Sequence, residues 1–319
     1  LNGALVLKHR FTAGYEQWYF LQADVHFDSP ECTRRQYFRH LRQARERNAP
    51  IIDVGDFLDV ISSRMDKRMT KSTARPEDAS DGAYLDGVTD RSARELSEYA
   101  DQFVYIGDGN HNLKLLKMYE TDLNRHLVEK LTRYRSAGLP PIYKAGYGGW
   151  IVFTFEHESG GRRKNVKMKL FHGAGGGGEV TKGTMEAQRM LATIGNADIV
   201  VTGHIHEKWN VDLVQERLNV NTFRAEFAPR QHLKLGSYKV DYRLDGKGTW
   251  HMQRPGGTPK PLGGCWLRFF ADRSGGQLGI QYQLIKADVD YSDLFDETRS
   301  TDDDEAMVPG DSGSPGLDG

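Results

Sequence analysis

Five short apolar runs in this chain each close on Asp, Asn or His. Trp18-Tyr19-Phe20-Leu21 leads through Gln22-Ala23 to Asp24-Val25-His26, and Ile51-Ile52-Asp53-Val54 leads to Gly55-Asp56. Phe103-Val104-Tyr105-Ile106 opens into Gly107-Asp108-Gly109-Asn110-His111-Asn112. Val166 to Phe171 ends at His172, and Asp198-Ile199-Val200-Val201-Thr202 ends at Gly203-His204-Ile205-His206. Such runs, bounded by Gly and polar residues, read as buried strands. Helical patterns lie between them. Residues 31–47 hold six Arg with Tyr37, Phe38, Leu41 and Ala44 at helical spacing, and further helices are expected at about 90–101, 113–131 and 184–193. Strands alternating with helices predict a mixed α/β fold, in which ligands bind beyond the carboxyl ends of the strands. The polar residues fall there.

From Trp150 the pattern turns β-rich, with Ile151 to Phe155 and Val166 to Phe171 joined through Gly160-Gly161, and short strands are expected from about 209 to 286. Residues 62–88 are polar and rich in Gly and Asp, as a long loop or insertion would be. The tail from 287 is acidic, then rich in Gly, Ser and Pro, and disorder is expected beyond about 300. The expected organisation is a catalytic domain over 1–286 followed by an acidic tail over 287–319.

Composition narrows the class. The longest apolar runs fall far short of the roughly 20 residues a spanning helix needs, so no membrane association is expected. Cys32 and Cys265 are too few for a disulfide framework, which favours a reducing, cytoplasmic setting. Ala4-Leu5-Val6-Leu7 is too short for a secretory leader, and a start at Leu1 points to a fragment or a processed chain. Net charge is −1, but residues 286–319 hold 11 of the 44 acids and two of the 43 bases, leaving +8 on residues 1–285. A basic body suits a phosphate-bearing substrate.

Singly, the motifs at the strand ends are weak. Composition yields about 0.9 Asp-x-His and about 0.4 His-x-His by chance, whereas Gly-Asn-His is expected only about 0.04 times. Order raises the case: Asp-x-His, Gly-Asp-x-x-Asp, Gly-Asn-His, His-Gly and Gly-His-x-His, each closing an expected strand. Side chains two apart on an extended chain point the same way, which would let Asp24 converge with His26 and His204 with His206. Carboxylate, imidazole and amide ligands without thiolate suit manganese, iron, zinc or similar divalent ions. Seven such ligands exceed what one catalytic metal needs and suit two, about 3.5–4 Å apart with a carboxylate between them.

These ordered blocks resemble the calcineurin-like metallophosphoesterase superfamily over residues 18–206, and the β-rich segment to about 286 fits the second half of that fold. His172 with its Gly-rich loop, Thr181-Lys182-Gly183 and Thr202 to His206 resemble phage- or prophage-encoded members. The resemblance implies a four-layer α/β/β/α sandwich of two mixed sheets. It implies two divalent cations, manganese first, with iron, zinc or magnesium as alternatives. One would be held by Asp24, His26, Asp56 and His206, the other by Asp56, Asn110, His172 and His204, with Asp56 bridging. His111 would protonate the leaving oxygen or stabilise the phosphoryl charge. Where the family usually places Asp or Glu after Gly-Asn-His, this chain has Asn112, which would support the charged His111 less strongly.

The expected activity is phosphoester hydrolysis, with a phosphodiester in DNA or RNA as the leading substrate. A phosphomonoesterase acting on a nucleotide or small phosphate is the alternative, and a catalytically weak metal-binding module is a third reading. Asp59 reads as a support for the loop or for a ligand rather than as a ligand. Glycines 173–178 read as a flexible loop, and Lys182 as a weaker candidate for a substrate phosphate. The arginines of 31–47 read first as a solvated face, and His9, His40, His126, His157, His232 and His251 as ordinary histidines.

Overall fold

The computed structural model describes residues 3–60, 75, 83–176, 178, 180–220, 222–242, 258–274 and 277–294. The insertion expected over 62–88 therefore lies outside the described residues except at Arg75 and from 83 onward. The tail lies outside them beyond 294, as does His251.

Strands β1 (Leu5–Phe11) and β2 (Glu16–Gln22) come first, followed by helix α1 (Arg34–Glu46), β3 (Ile51–Asp53) and α2 (Tyr84–Glu95). Then come β4 (Phe103–Ile106), α3 (Asn110–Tyr119), α4 (Leu123–Thr132) and β5 (Tyr143–Lys144). The rest is β6 (Gly148–His157), β7 (Arg163–Phe171), α5 (Thr184–Thr193), β8 (Ile199–Thr202), β9 (Trp209–Asn219), β10 (Arg224–Lys234), β11 (Cys265–Ser274) and β12 (Gln277–Lys286). One six-stranded sheet has the order β1-β6-β7-β8-β10-β9 and the other β12-β11-β2-β3-β4-β5. Both are mixed: β2, β3, β4 and β5 run parallel, as do β7, β8 and β10, while β6–β7, β9–β10, β11–β12 and β2–β11 are antiparallel.

Alternation along the strands builds the layers. Tyr19, Leu21, Ile52 and Tyr105 face Phe153, Phe155, Met168 and Val201 in a core between the sheets. Their neighbours Phe20, Ile51 and Phe103 turn outward onto Tyr37, Leu41 and Ala44 of α1, Val88 of α2, and Leu127 and Leu131 of α4. On the far face Val200 packs with Met190 of α5. The result is the expected four layers: helix, sheet, sheet, helix. Strands buried on both faces read as continuous apolar runs, which is why the sequence shows them so plainly.

Several boundaries differ from expectation. The helix expected over 113–131 is two helices, because Glu120 turns left-handed (φ 56°) and Asp122 caps α4 by accepting from the Arg125 N–H. Residues 84–88, expected in a loop, begin α2, and a 3-10 turn (Ser97–Gln102) takes the end of the helix expected at 90–101. β9 to β12 are 10 or 11 residues long rather than short. The alternating β1, read only as an apolar run, pairs in parallel with β6.

The arginines of α1 are largely engaged. Arg34 pairs with Glu95, Arg45 with Glu98 and Arg39 with Asp288, while the Arg47 guanidinium lies over the rings of Trp18 and Trp266. Both cysteines are buried and free. The chain through Val289 forms one compact unit and a second unit begins at Asp290. Among the described residues, no helix is long and apolar enough to cross a membrane.

Candidate metal centre

Parallel β2, β3 and β4 in one sheet, and β7 and β8 in the other, deliver their carboxyl ends to a common edge. Asp24 and His26 follow β2, Asp56 follows β3, Asn110 follows β4, His172 follows β7, and His204 and His206 follow β8. The backbone there is not extended, contrary to the expected basis for convergence. Asp24 (φ 51°), His26 (49°), Asp56 (53°), His204 (79°) and His206 (57°) are all left-handed, half of the ten described non-glycine residues with positive φ. Each such residue costs on the order of 1–3 kcal/mol and persists only where its surroundings over-determine it. Here Asp24 N–H donates to the Gly55 carbonyl (2.9 Å), His26 N–H to the Asp56 carbonyl (3.1 Å) and His204 N–H to Asp24 Oδ2 (2.7 Å). Gly109 is obligatory, since a methyl there would overlap the Asp56 carboxylate.

The expected ligands fall into two groups, Asp24 with His26 and His206, and Asp56 with His172 and His204, and a third group, His26 with Asp59 and His111, shares His26 with the first. In the first, His26 Nε2 and His206 Nε2 lie 3.3 Å apart. In the second, His172 Nε2 is 3.1 Å from Asp56 Oδ2 and 3.2 Å from Asn110 Oδ1, which is 2.8 Å from His204 Nδ1. Asp24 Oδ1 stands between the first two groups, 3.7 Å from His206 Nε2 and 3.8 Å from His172 Nε2, buried and without a hydrogen-bond partner. Asp56 joins the second group through its carboxylate, and its backbone carbonyl accepts from His26 N–H of the first.

These donors fit divalent cations. His26 Nδ1 faces Asp59 Oδ1 (3.0 Å) and His206 Nδ1 faces Asp241 Oδ2 (3.2 Å), contacts that favour the proton on Nδ1 and turn each Nε2 toward the other donors. The two Nε2 atoms meet at 3.3 Å beside a buried carboxylate oxygen that has no hydrogen-bond partner, a set of donors that a divalent cation would satisfy. A set of imidazole, carboxylate and amide donors without thiolate suits manganese, iron or zinc.

His111 lies beside the first two groups. Its N–H donates to Asp56 Oδ1 (3.0 Å), and its Nδ1 is 2.6 Å from the Asp59 carbonyl and 3.1 Å from Asp59 Oδ1. Burial works against its charge, but the Asp56 and Asp59 carboxylates prevail and lift its pKa to about 9. Asp59 is itself pulled well below the carboxylate range: burial would raise it, and Lys239, His26 and His111 reverse that. Asn112, expected to support His111, points elsewhere. Its Nδ2 donates to Asp108 Oδ1 (2.8 Å) within a buried network that includes Lys144 and Asn124. Asp59 takes that supporting role.

Asp241 and Lys239 were not legible in the sequence, because Lys-Val-Asp after β10 matches no motif. Lys182 is left-handed (φ 45°) and exposed, and its carbonyl accepts from Trp209 Nε1. His9, His40 and His232 are held by Tyr19, Tyr238 and Thr202, away from the site.

No family model matches the chain, and no curated protein matches it. Among solved structures it is similar to Vacuolar Protein Sorting 29 from Cryptosporidium parvum, at 14% identity and a TM-score of 0.31, over 86% of this chain and 100% of that one. It is also similar to a Thermotoga maritima protein solved by NMR, at 11% identity and a TM-score of 0.29, over 84% and 99% of the two chains. Likenesses of this size carry nothing about function, which has to be read from the site itself.

Proposed function

We propose that this chain is a phosphoester hydrolase with a dinuclear metal centre, acting on a phosphodiester, with nucleic acid as the leading substrate. The observation that carries this reading is the convergence of seven donors from five strand ends, five of them left-handed, into two adjacent groups. Asp24, His26 and His206 would hold one cation, and Asp56, Asn110, His172 and His204 the other. When bound, such a pair activates water at neutral pH and neutralises phosphoryl oxygens.

The chain's own residues supply the rest. Asp59 and Asp241 fix the tautomers of His26 and His206 and aim their Nε2 atoms. With His111 Nδ1 bound to the Asp59 carbonyl, its second proton sits on Nε2, 3.9 Å from Asp56 Oδ2, placed to protonate a departing oxygen. The His111 and His206 side chains are 11% and 15% exposed, so the site is reached from solvent on their side.

The preference for a diester rests on charge. Among the described residues, Lys239 and Lys234 lie against the site, and each is matched by a carboxylate: Lys239 by Asp59 and Lys234 by Glu186. Neither ammonium is left for the second charge of a monoester dianion, whereas a diester carries one. The net +8 of residues 1–285 favours a polyanion, although the paired arginines of α1 contribute little to it.

The test is hydrolysis of bis-aryl phosphate, mono-aryl phosphate, single-stranded DNA and duplex DNA with Mn²⁺, using Asp56→Asn as control. Diester or DNA cleavage abolished in the variant supports the reading. Monoester cleavage alone would replace it with a phosphomonoesterase, and two bound cations without turnover would leave a binding module. DNA affinity that does not change between low and physiological salt would overturn the polyanion preference.

A further inference from the structure

The segment that leaves β10 reaches the site at two points. Ser237 Oγ and Tyr238 N–H both donate to the Asp24 carbonyl (2.8 and 3.0 Å), and Tyr238 N–H and carbonyl continue the contact, the latter accepting from Thr33 N–H (2.7 Å). Lys239 N–H donates to Ser237 Oγ (2.9 Å). This short braced run aims two charged side chains inward. Lys239 Nζ donates to Asp59 Oδ2 (2.7 Å), whose other oxygen faces His26 Nδ1 and His111 Nδ1. Asp241 Oδ2 faces His206 Nδ1 (3.2 Å).

One carboxylate thus serves both an expected ligand and the expected proton donor, and it is buried (3% exposed). A buried carboxylate that meets two imidazole nitrogens still needs a compensating charge to be held there. Lys239 supplies the balancing charge. Asp241 does for His206 what Asp59 does for His26: it holds the proton on Nδ1 and leaves Nε2 as the donor.

We infer that Lys239 and Asp241 are positioning residues of the metal centre, acting through Asp59 and His206 as a charge-balanced clamp that sets which histidine nitrogens face the cations. The inference rests on the dinuclear reading above and extends it to residues outside every motif at the strand ends.

Titration calorimetry with Mn²⁺ alone tests it without reference to turnover. The expected result for the wild-type chain is two cations. Asp241→Ala should weaken one of them by about 10–100-fold, while Asp241→Asn, whose amide oxygen still accepts from Nδ1–H, should recover most of that affinity. Lys239→Met should weaken binding and Lys239→Arg restore it, with thermal melting of each variant establishing that it is folded. Wild-type affinity in folded Asp241→Ala and Lys239→Met would overturn the inference and leave the metal site standing. A wild-type chain that takes up no Mn²⁺ would instead overturn the dinuclear reading itself.

Discussion

Gly203 offers a direct test of how tightly the centre is assembled. Its φ lies outside the left-handed region, so alanine perturbs it by its methyl group alone. That methyl would stand 2.6 Å from Asp24 Oδ2 and 2.7 Å from Ala23 Cβ. Ordinary contact begins near 3.4 Å, so either the Asp24 carboxylate or the turn bearing His204 has to retreat by about 0.8 Å. Neither is free to do so. Asp24 Oδ2 accepts from His204 N–H (2.7 Å), and the Gly203 carbonyl accepts from the buried Lys234 Nζ (3.0 Å). Overpacking of this kind costs about 1–3 kcal/mol. At about 2–4 °C per kcal/mol for a chain of this size, melting should fall by roughly 2–12 °C. Displacement of nearly 1 Å at reacting groups costs on the order of 10²-fold in rate. Gly203→Ala should therefore melt lower, gain less melting temperature from Mn²⁺ than wild type, and hydrolyse bis-aryl phosphate about 10²-fold more slowly. Wild-type melting together with a wild-type Mn²⁺ response would refute the reasoning.

Three further outcomes follow from the same geometry. His111→Gln should lose about 10²–10⁴-fold in turnover on a diester with an alkoxide leaving group while still binding two Mn²⁺, since the seven proposed ligands do not include it. An undiminished rate on that ester would remove His111 from the chemistry. His40 is held near pKa 4 by burial, below its ordinary 6.5, so its contribution to stability is present above about pH 6.5 and lost as the pH falls toward 4. The stability deficit of His40→Gln relative to wild type should accordingly shrink by up to about 3 kcal/mol between pH 7 and 4 in denaturant titrations, and a constant gap would contradict the assignment. Phe269→Ala removes a ring packed at 4.8 Å from Phe153 and Phe155 between the sheets and should cost about 3–5 kcal/mol, read from urea midpoints; a loss below 1 kcal/mol would show that the sheets close over the gap.

What could be read from the sequence was local. Val, Ile and Phe runs mark strands buried on both faces, and an Asp, Asn or His after the run marks where each strand stops, because both signals depend on neighbours a few residues away. The identities of the expected donors and the alternation of strand and helix followed from that. Glu120 broke a helix the periodicity carried through, since a left-handed turn capped by Asp122 leaves the apolar spacing on both sides intact.

The tertiary structure decided how the donors converge and what aims them. Asp24 and His26 were expected to share a side through extended backbone, yet they meet through left-handed turns held by hydrogen bonds to Gly55 and Asp56 from another strand. Asn112 is adjacent to His111 in sequence but turns to Asp108, while Asp59, Lys239 and Asp241 become partners of the site across long stretches of chain. Six arginines over residues 31–47 looked like surface charge until Glu95, Glu98, Asp288 and two tryptophan rings were placed against four of them. The chain's local pattern specifies which groups stand at the strand ends. Proton placement, charge balance and backbone strain depend on contacts between segments far apart in the chain, and only the folded structure brings those together.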